Sequence, residues 1–429
     1  MKIGLEVHVA LPTKSKLFCG CSTTADEPNS SICEICMGFP GSKPMLNKSA
    51  LMYALEVANA LHCKTNKQTS FVRKVYFYPD LPKSYQITQL NDAVGFEGHL
   101  ELENKTVGIR RIQLEEDPAK VVREDGYTLI DFNRSGTPLL EIVTEPDIQS
   151  EEELREFINE LKSILYYLGV DIEKELKVDL NVSIGSQRVE VKNVTGLRNL
   201  VDAARYEIKR QEELVKKKQV IVAETRSYNE STLKTESSRE KESDEEYGFI
   251  FEPDLTIYQT DMKLEKKPIY AGSISRELAR KYKSKAKTIL ELIQFDRQAL
   301  DLIEDSKGKY EMQKIIGTIE ALKKYGSMDI GTENFAKLME LAKGGTQITE
   351  PIIQQVKKGV AVEISNVSVE KIDAEIKSIL KSRAELLKEF EKNPKSLNFL
   401  VGEVSKKLKA NPREVAERLR LVLEKEYKS

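Results

Sequence analysis

Alternating apolar and polar residues predict β-strands in the first half of the chain. In GLEVHVAL, residues 4–11, the apolar side chains fall on one face when the segment is read with a period of two. Glu6 and His8 then lie side by side on the opposite face. The segment KVDLNVSIG, residues 177–185, alternates in the same way and predicts another strand with Asp179 and Asn181 on its polar face.

A period of 3.6 residues predicts a helix in SEEELREFINELKSILYYLG, residues 150–169. Ser150 is placed as the N-cap with Glu153 three residues later, which is the spacing of a reciprocal capping box. Gly169 supplies the left-handed residue that ends a helix. The predicted apolar stripe consists of Leu154, Phe157, Ile158, Leu161, Leu165 and Leu168.

These patterns divide the chain into three predicted domains. Strands and helices mix without regular βαβ spacing up to about residue 265, so we expect an α+β domain with a mostly antiparallel sheet. Helical periodicity dominates afterwards and predicts an all-α domain over 266–355 and a small all-α tail over 356–429. The polar segment 229–248 is expected to be a mobile loop, and a hinge is expected near Gly344, Gly345 and Pro351.

Composition and charge add little to this division. The 429 residues carry a formal charge of −2, so any surface for nucleic acid must be local. Residues 351–429 hold 17 Lys and Arg against 12 Asp and Glu, which fits an RNA partner and equally fits a solvated helix surface. No stretch approaches the roughly 20 apolar residues of a membrane span, and no signal peptide is evident, so we expect a cytoplasmic protein.

Four cysteines in LFCGCSTTADEPNSSICEICMGFPG suggest a metal site. Cys19 and Cys21 form a CxC pair, and Cys33 and Cys36 form a CxxC pair. Four thiolates from two turns suit a structural, tetrahedral zinc site. A redox or disulfide pair is the alternative, and we regard it as less favoured in an intracellular protein.

Acidic residues recur at predicted strand ends: Glu6, Glu115, Glu116 and Glu141. Singly, each reads as a solvated carboxylate, although Glu141 interrupts an apolar run, where an unpaired acid is unfavourable. If several converged beside an imidazole, a hard cation such as Mg²⁺ would be needed, and Mg²⁺ usually accompanies nucleotide phosphates. Periodicity alone does not show that they meet, and neither a P-loop nor a nucleophile triad is evident.

The segment YFYPDLPKSYQITQ, residues 76–89, is rich in aromatic residues and contains two prolines. Its aromatic rings could stack on a nucleic-acid base. A packed, rigid loop is the favoured interpretation.

Several motifs in fixed order resemble the GatB/GatE family of tRNA-dependent amidotransferases. The motifs are GLEVHV, CGCSTTADEPNSSICEICMGFPGSKPMLNK, YFYPDLPKSYQITQ, IQLEEDPAK, DFNRSGTPLLEIVTEPD and NPKSLNFLVGEVSKKLKANP. The resemblance covers residues 1 to about 255 at high specificity and returns in the tail, while residues 270–350 are divergent. It favours the GatB type, because the related GatE type carries a large inserted domain for which this chain has no room.

The resemblance implies an enzyme that acts on Glu-tRNA(Gln), and often on Asp-tRNA(Asn), in a complex with GatA and GatC. The GatB component would use ATP and Mg²⁺ to phosphorylate the side-chain carboxyl of the misacylated amino acid. Ammonia that GatA releases from glutamine would then displace phosphate and form the amide. The competing hypothesis is a zinc-stabilised adaptor that grips tRNA and in which the acids are structural.

The resemblance also implies roles for particular residues. The expected direct Mg²⁺ ligands are His8, Glu116 and Glu141, with Glu6 and Glu115 at a second site or behind the ligands. Lys83 is expected to line the ammonia route or to touch phosphate. Other polar residues are expected to face the same nucleotide cavity: Asp179, Asn181, Lys192 and Asn193. The tail is expected to bind tRNA.

Overall fold

The structure is a computed structural model and describes residues 1–172, 176–185, 187–240, 248–362, 369–382, 397–408 and 412–426. The chain divides into two compact units, Met1–Ile274 and Ser275–Ser429. The first unit contains all the strands found in the described residues, and the second is helical.

An eight-stranded sheet forms the centre of the first unit. Its spatial order is β13-β12-β11-β10-β1-β9-β6-β5, where the strands are β1 (Lys2–Ala10), β5 (Gly95–Glu101), β6 (Thr106–Glu116), β9 (Pro138–Thr144), β10 (Lys177–Ser183), β11 (Val189–Thr195), β12 (Glu224–Asn229) and β13 (Lys234–Glu240). Among the strands that the structure describes in this sheet, only β11 and β12 pair in parallel. The predicted mostly antiparallel α+β fold is therefore confirmed.

Three helices cover one face of this sheet. They are α1 (Lys48–Ala60), α2 (Glu151–Tyr167) and α3 (Leu197–Lys216). The apolar residues of the alternating strands, such as Leu5, Val7 and Leu180, are buried in one core with the apolar stripes of these helices. Burial of one sheet face explains why the strands alternate, because only one set of side chains meets the core.

Smaller sheets border the central one. A three-stranded sheet has the order β14 (Gly248–Phe251), β3 (Val72–Val75) and β4 (Tyr85–Thr88). Two pairs complete the unit, β15 (Tyr258–Gln259) with β2 (Gln68–Thr69), and β7 (Lys120–Glu124) with β8 (Tyr127–Asp131).

The prediction of a loop over 229–248 is wrong for residues 234–240, which form β13 and pair antiparallel with β12. Residues 241–247 lie outside the described residues. The guanidinium of Arg226 donates to Thr235 Oγ1 at 2.9 Å and to its carbonyl at 2.7 Å, and Thr235 Oγ1 donates to the buried Glu207. Polar contacts hold this edge strand in the sheet, so it carries no apolar alternation that the sequence pattern could reveal.

The predicted limits of α2 are confirmed in part. Ser150 Oγ accepts a hydrogen bond from the backbone N–H of Glu153, and Gly169 has a φ of +81°. The reciprocal half of the capping box is wrong: the Glu153 carboxylate accepts from the backbone N–H of Gln149 at 2.7 Å and pairs with Lys105.

The second unit consists of short helices. After α4 (Ala271–Tyr282), which spans the boundary, these are α5 (Ala286–Ile293), α6 (Arg297–Ser306), α7 (Met312–Lys324), α8 (Thr332–Lys343), α9 (Glu350–Lys357), α10 (Val369–Ser382), α11 (Leu397–Leu408) and α12 (Pro412–Glu426). The last three share an apolar cluster that includes Ile376, Val404 and Leu419. The two units divide after Ile274. The predicted domain limits at 265 and 355 and the hinge stay predictions. Asn411, which the order Asn-Pro in NPREVAERLR predicts as the N-cap of α12, lies outside the described residues. Among the described residues, no helix combines the length and apolar character that crossing a bilayer requires.

Candidate functional site

Strand register brings polar side chains together on the sheet face that the helices leave uncovered. His8 of β1 lies opposite Glu141 of β9, and Glu6 lies opposite Asp179 of β10. On the other side of β9, Glu141 lies opposite Gln113 of β6. Successive side chains of a strand point to opposite faces, so these residues point away from the apolar core and their neighbours along each strand point into it.

His8, Glu115 and Glu141 form a group that we call the first cluster. Each offers a ligand atom, and these atoms lie within 4.8 Å of one another. His8 Nε2 is 3.7 Å from Glu115 Oε1, and both carboxyl groups are buried. Gln113 donates a hydrogen bond from Nε2 to Glu141, while its Oε1 is buried and has no hydrogen-bond partner among the described residues.

Burial and the crowding of carboxyl groups in the first cluster together set the pKa values of Glu115 and His8, and both values are raised. Burial raises the pKa of Glu115 to about 7, and the negative charge of Glu141 adds to this effect. Burial alone would lower the pKa of His8, but the nearby carboxylates, Glu115 first, outweigh it and raise the pKa. A cation among these groups would relieve the repulsion between the carboxylates.

Glu116, an expected direct Mg²⁺ ligand, is not part of the first cluster. Its carboxylate accepts hydrogen bonds from Lys83 Nζ at 2.7 Å and from the backbone N–H of Ile87 at 2.9 Å. Adjacent residues of a strand point to opposite faces, so Glu115 and Glu116 cannot both face one cavity from β6. Glu115 takes the position beside His8 instead, and Lys83 is held in a buried ion pair.

A second cluster consists of Glu6, Asp179 and Glu190, whose ligand oxygens lie within 4.8 Å of one another. Burial raises the pKa of Glu6, and the charges of Glu141 and Glu190 raise it further. Asn181 donates from Nδ2 to Glu6 Oε1 at 3.2 Å, and its buried Oδ1 has no hydrogen-bond partner among the described residues. Glu190 is not among the site residues predicted from the sequence, although alternation in VEVK of β11 places it on the same face as Lys192.

Lys192 and Asn193 both contact Asp179. Lys192 Nζ lies 2.9 Å from Asp179 Oδ2 and 3.0 Å from Glu190 Oε1. The backbone N–H of Asn193 donates to Asp179 Oδ1 at 2.7 Å, from a left-handed backbone with a φ of +55° that asparagine tolerates. Burial would raise the pKa of Asp179, but Lys192, His8 and this N–H lower it.

The donor set of the two clusters fits a hard divalent cation. Five carboxyl groups and one imidazole supply mostly oxygen ligands, which suit Mg²⁺ or Mn²⁺ better than a soft metal. The unpartnered amide oxygens of Gln113 and Asn181, one beside each cluster, are further acceptors that a hydrated cation could satisfy. The sheet face can therefore hold one or two such ions close together.

The four predicted zinc ligands meet as expected. The Sγ atoms of Cys19, Cys21, Cys33 and Cys36 lie within 4.8 Å of one another. The hydrogen bond from Cys19, together with the Lys16 ammonium 3.6 Å away, holds the pKa of Cys36 well below that of an ordinary thiol. Thiolate ligands at such distances fit a tetrahedral metal.

The cysteine segment also contacts the turn that precedes β9. The fully buried Lys16 donates to the carbonyl of Phe132 at 3.2 Å. The Asn133 side chain donates to the Glu27 carbonyl and accepts from the backbone N–H of Ser31, each at 2.7 Å. The four-cysteine segment thus supports the turn from which β9 carries Glu141 into the first cluster.

The aromatic segment 76–89 differs from the packed loop that we expected. The side chains of Phe77 and Tyr78 are 83% and 53% exposed. The later part of the segment is packed: the Lys83 side chain is buried against Glu116, and Leu81 and residues 86–89 are buried.

The fold and site define a class of α+β proteins with an acid-lined sheet face and a four-cysteine segment. Residues 1–266 match the sequence model of the GatB/GatE catalytic domain. The chain belongs to the GatB/GatE family.

Curated relatives extend the match over nearly the whole chain. The B subunit of the aspartyl/glutamyl-tRNA(Asn/Gln) amidotransferase from Methanoregula boonei is 35% identical, over 96% of each chain. The proteins of the same name from Sulfolobus acidocaldarius and Clostridium kluyveri are 35% and 34% identical. They cover 95% of this chain and 96% and 95% of their own lengths.

We predict that Glu115→Gln stabilises the protein in EDTA at neutral pH. The pKa of Glu115 is raised by folding, so the native state binds the extra proton between about pH 4.5 and about pH 7, and its stability falls as pH rises through that window. The free-energy advantage of Glu115→Gln should grow across the window to about 3 kcal/mol. Urea denaturation followed by circular dichroism measures it.

Glu97→Gln is the matched control, because Glu97 is an exposed carboxylate paired with Lys64 on the surface. It should show no such pH dependence. A difference between Glu115→Gln and wild type that is constant from pH 4.5 to 8 would contradict the assignment of a buried, crowded carboxyl.

Proposed function

We propose that the chain is the GatB component of an aspartyl/glutamyl-tRNA amidotransferase, in line with the names of its relatives. It phosphorylates the side-chain carboxyl of Glu-tRNA(Gln), and of Asp-tRNA(Asn), with ATP. The observation that carries the proposal is the pair of carboxylate clusters on one sheet face, each beside an unpartnered amide oxygen.

Phosphorylation solves a chemical problem. A carboxylate is a poor acyl donor, because its oxide is a poor leaving group. In the first step a carboxylate oxygen of the substrate attacks the γ-phosphorus, the bond to the β-phosphate oxygen breaks, and ADP leaves. In the second step ammonia attacks the acyl carbon, inorganic phosphate leaves, and the released proton passes to solvent or a base.

The two clusters are suited to the first step. Bound Mg²⁺ would neutralise charge on the transferred phosphoryl group and orient it for in-line attack. His8, Glu115 and Glu141 would hold one ion, and Glu6, Asp179 and Glu190 would face a second. Compared with the sequence expectation, Glu115 replaces Glu116 as a ligand.

Lys83 and Glu116 are positioning residues for this site. Their buried ion pair fixes the end of β6 and the backbone of Ile87 in β4. Because the ammonium of Lys83 is already engaged, a direct role on the ammonia route or on phosphate is not part of the proposal.

The partners follow from the reaction. Ammonia must be made by another chain, and we propose the glutaminase GatA, with GatC as the third subunit and a cytoplasmic location. The helices α10 to α12 would contact tRNA. The crowding of five carboxyl groups on one sheet face disfavours the purely structural adaptor, because buried charges are unfavourable unless they are compensated. A GatE-like subunit restricted to Glu-tRNA(Gln) is the remaining alternative.

The four-cysteine segment is proposed to hold a structural zinc ion. All four donors come from the protein, so no position remains open for chemistry. The contacts of this segment with Phe132 and Asn133 would make zinc support the turn before β9.

In the complex with its partner subunits, His8→Ala and Glu141→Gln should lower ATP-dependent phosphorylation of Glu-tRNA(Gln) by about a hundredfold or more, since each removes a ligand at the charge-stabilising centre. Transfer of labelled γ-phosphate to the aminoacyl group measures this. Glutaminase activity of the complex should be unchanged.

Glu145→Gln is the matched control, because Glu145 directly follows β9, the strand that carries Glu141, but pairs with Arg110 at the surface. Its phosphorylation rate should equal that of the wild type. Normal phosphoryl transfer by both His8→Ala and Glu141→Gln would refute the proposed site and favour the adaptor.

For zinc, we predict about one ion per chain in protein purified without chelator, and loss of that ion in Cys33→Ser, because a tetrahedral site needs all four thiolates. Elemental analysis measures the content. Cys63→Ser should keep the ion, since Cys63 lies outside the cysteine group. Metal-free wild-type protein with four titratable thiols in the segment would contradict the assignment.

A further inference from the structure

Lys192 occupies the second cluster as a cation would. Its Nζ lies 2.9 Å from Asp179 Oδ2 and 3.0 Å from Glu190 Oε1, and the side chains of these two acids are only 8% and 7% exposed. The same two acids, with Glu6, are the residues whose oxygens could hold a metal. The ammonium and a metal ion therefore compete for the same oxygens.

The acids of the second cluster can carry more negative charge than one monovalent cation balances. Three carboxyl groups meet here, and the Lys192 ammonium contacts two of them. Asn181 donates from Nδ2 to the third, Glu6, and its buried Oδ1 has no hydrogen-bond partner in the part of the chain that the structure describes. An ammonium has three donor hydrogens and reaches Asp179 and Glu190, whereas a divalent ion with its water molecules can also satisfy Glu6 and the amide oxygen. The arrangement holds Lys192 and fits a divalent ion better.

The Lys192 ammonium can also move away from the acids that it contacts. Its side chain is 36% exposed, in contrast to the buried acids that it contacts, so the flexible chain can carry the ammonium toward solvent without unpacking the sheet. A divalent ion bonded to Asp179 and Glu190 would lie close enough to the present Nζ position to repel it.

We propose that Lys192 is the resident counter-cation of the second cluster and that a divalent metal ion displaces it. Lys192 is a positioning residue: it keeps the buried acids compatible with folding before metal binds, and it sets the metal concentration at which the second cluster fills. This inference rests on the proposed metal-dependent function and deepens it.

The test is Mn²⁺ binding to the full chain without ATP or tRNA, followed by the electron paramagnetic resonance signal of free Mn²⁺. Lys192→Met removes the competing charge and should tighten one Mn²⁺ site by about tenfold or more. Lys192→Arg keeps the charge and should leave that site as weak as in the wild type. Adding Glu190→Gln to Lys192→Met should abolish the gain, which assigns the gain to the second cluster.

Lys177→Met is the matched control for a general charge effect. Lys177 lies two residues before Asp179 on β10, opposite His8. Its loss should change Mn²⁺ affinity far less than the loss of Lys192. An equal gain in Lys177→Met, or no gain in Lys192→Met, would overturn the proposal.

Thermal denaturation gives a second readout. In EDTA, Lys192→Met should melt below the wild type, because the acids of the second cluster lose their ammonium partner, and Mg²⁺ should raise its melting temperature more than that of the wild type. Equal melting temperatures in EDTA and equal shifts with Mg²⁺ would overturn the proposal. No Mn²⁺ binding by either protein would overturn the metal site together with it, whereas binding without a Lys192 effect would overturn this inference alone.

Discussion

Repulsion among crowded carboxylates is the constraint on which the site depends. Two like charges 4 Å apart repel by about 4 kcal/mol at an effective dielectric constant near 20. Glu115, Glu141, Asp179 and Glu190 are nevertheless buried on one sheet face, together with the half-buried Glu6. Proton uptake by Glu115, the imidazole of His8 and the ammonium of Lys192 each relieve part of this repulsion. The site is therefore poised for added positive charge.

The sheet makes this crowding possible because its other face stabilises the fold. Alternate residues such as Leu5, Val7 and Leu180 are buried against helices, and the strand backbones are fixed by their neighbours on both sides. Register then determines which acids face each other across the strands. Lys83 with Glu116, and the cysteine segment with the turn before β9, support the strand ends that carry the first cluster.

Local patterns in the sequence predicted the strand that carries Glu6 and His8, the limits of α2 and the meeting of the four cysteines. Strand alternation also separates Glu115 from Glu116 and places Glu190 on the same face as Lys192, whereas the resemblance to known motifs implies Glu116 as the ligand and says nothing of Glu190. The convergence of the two clusters depends on strand order and register, which a single sequence does not reveal. The edge strand β13 was missed for another reason: buried polar contacts of Arg226 and Thr235 hold it, and these leave no periodic signal.

Anomalous diffraction from crystals of the protein soaked in Mn²⁺ tests the two clusters most directly. We expect an anomalous peak about 2.0–2.4 Å from ligand atoms of His8, Glu115 and Glu141, and a second among Glu6, Asp179 and Glu190. A fully occupied peak at Glu116 instead, or the absence of any peak on this sheet face at saturating Mn²⁺, would contradict the proposed metal site.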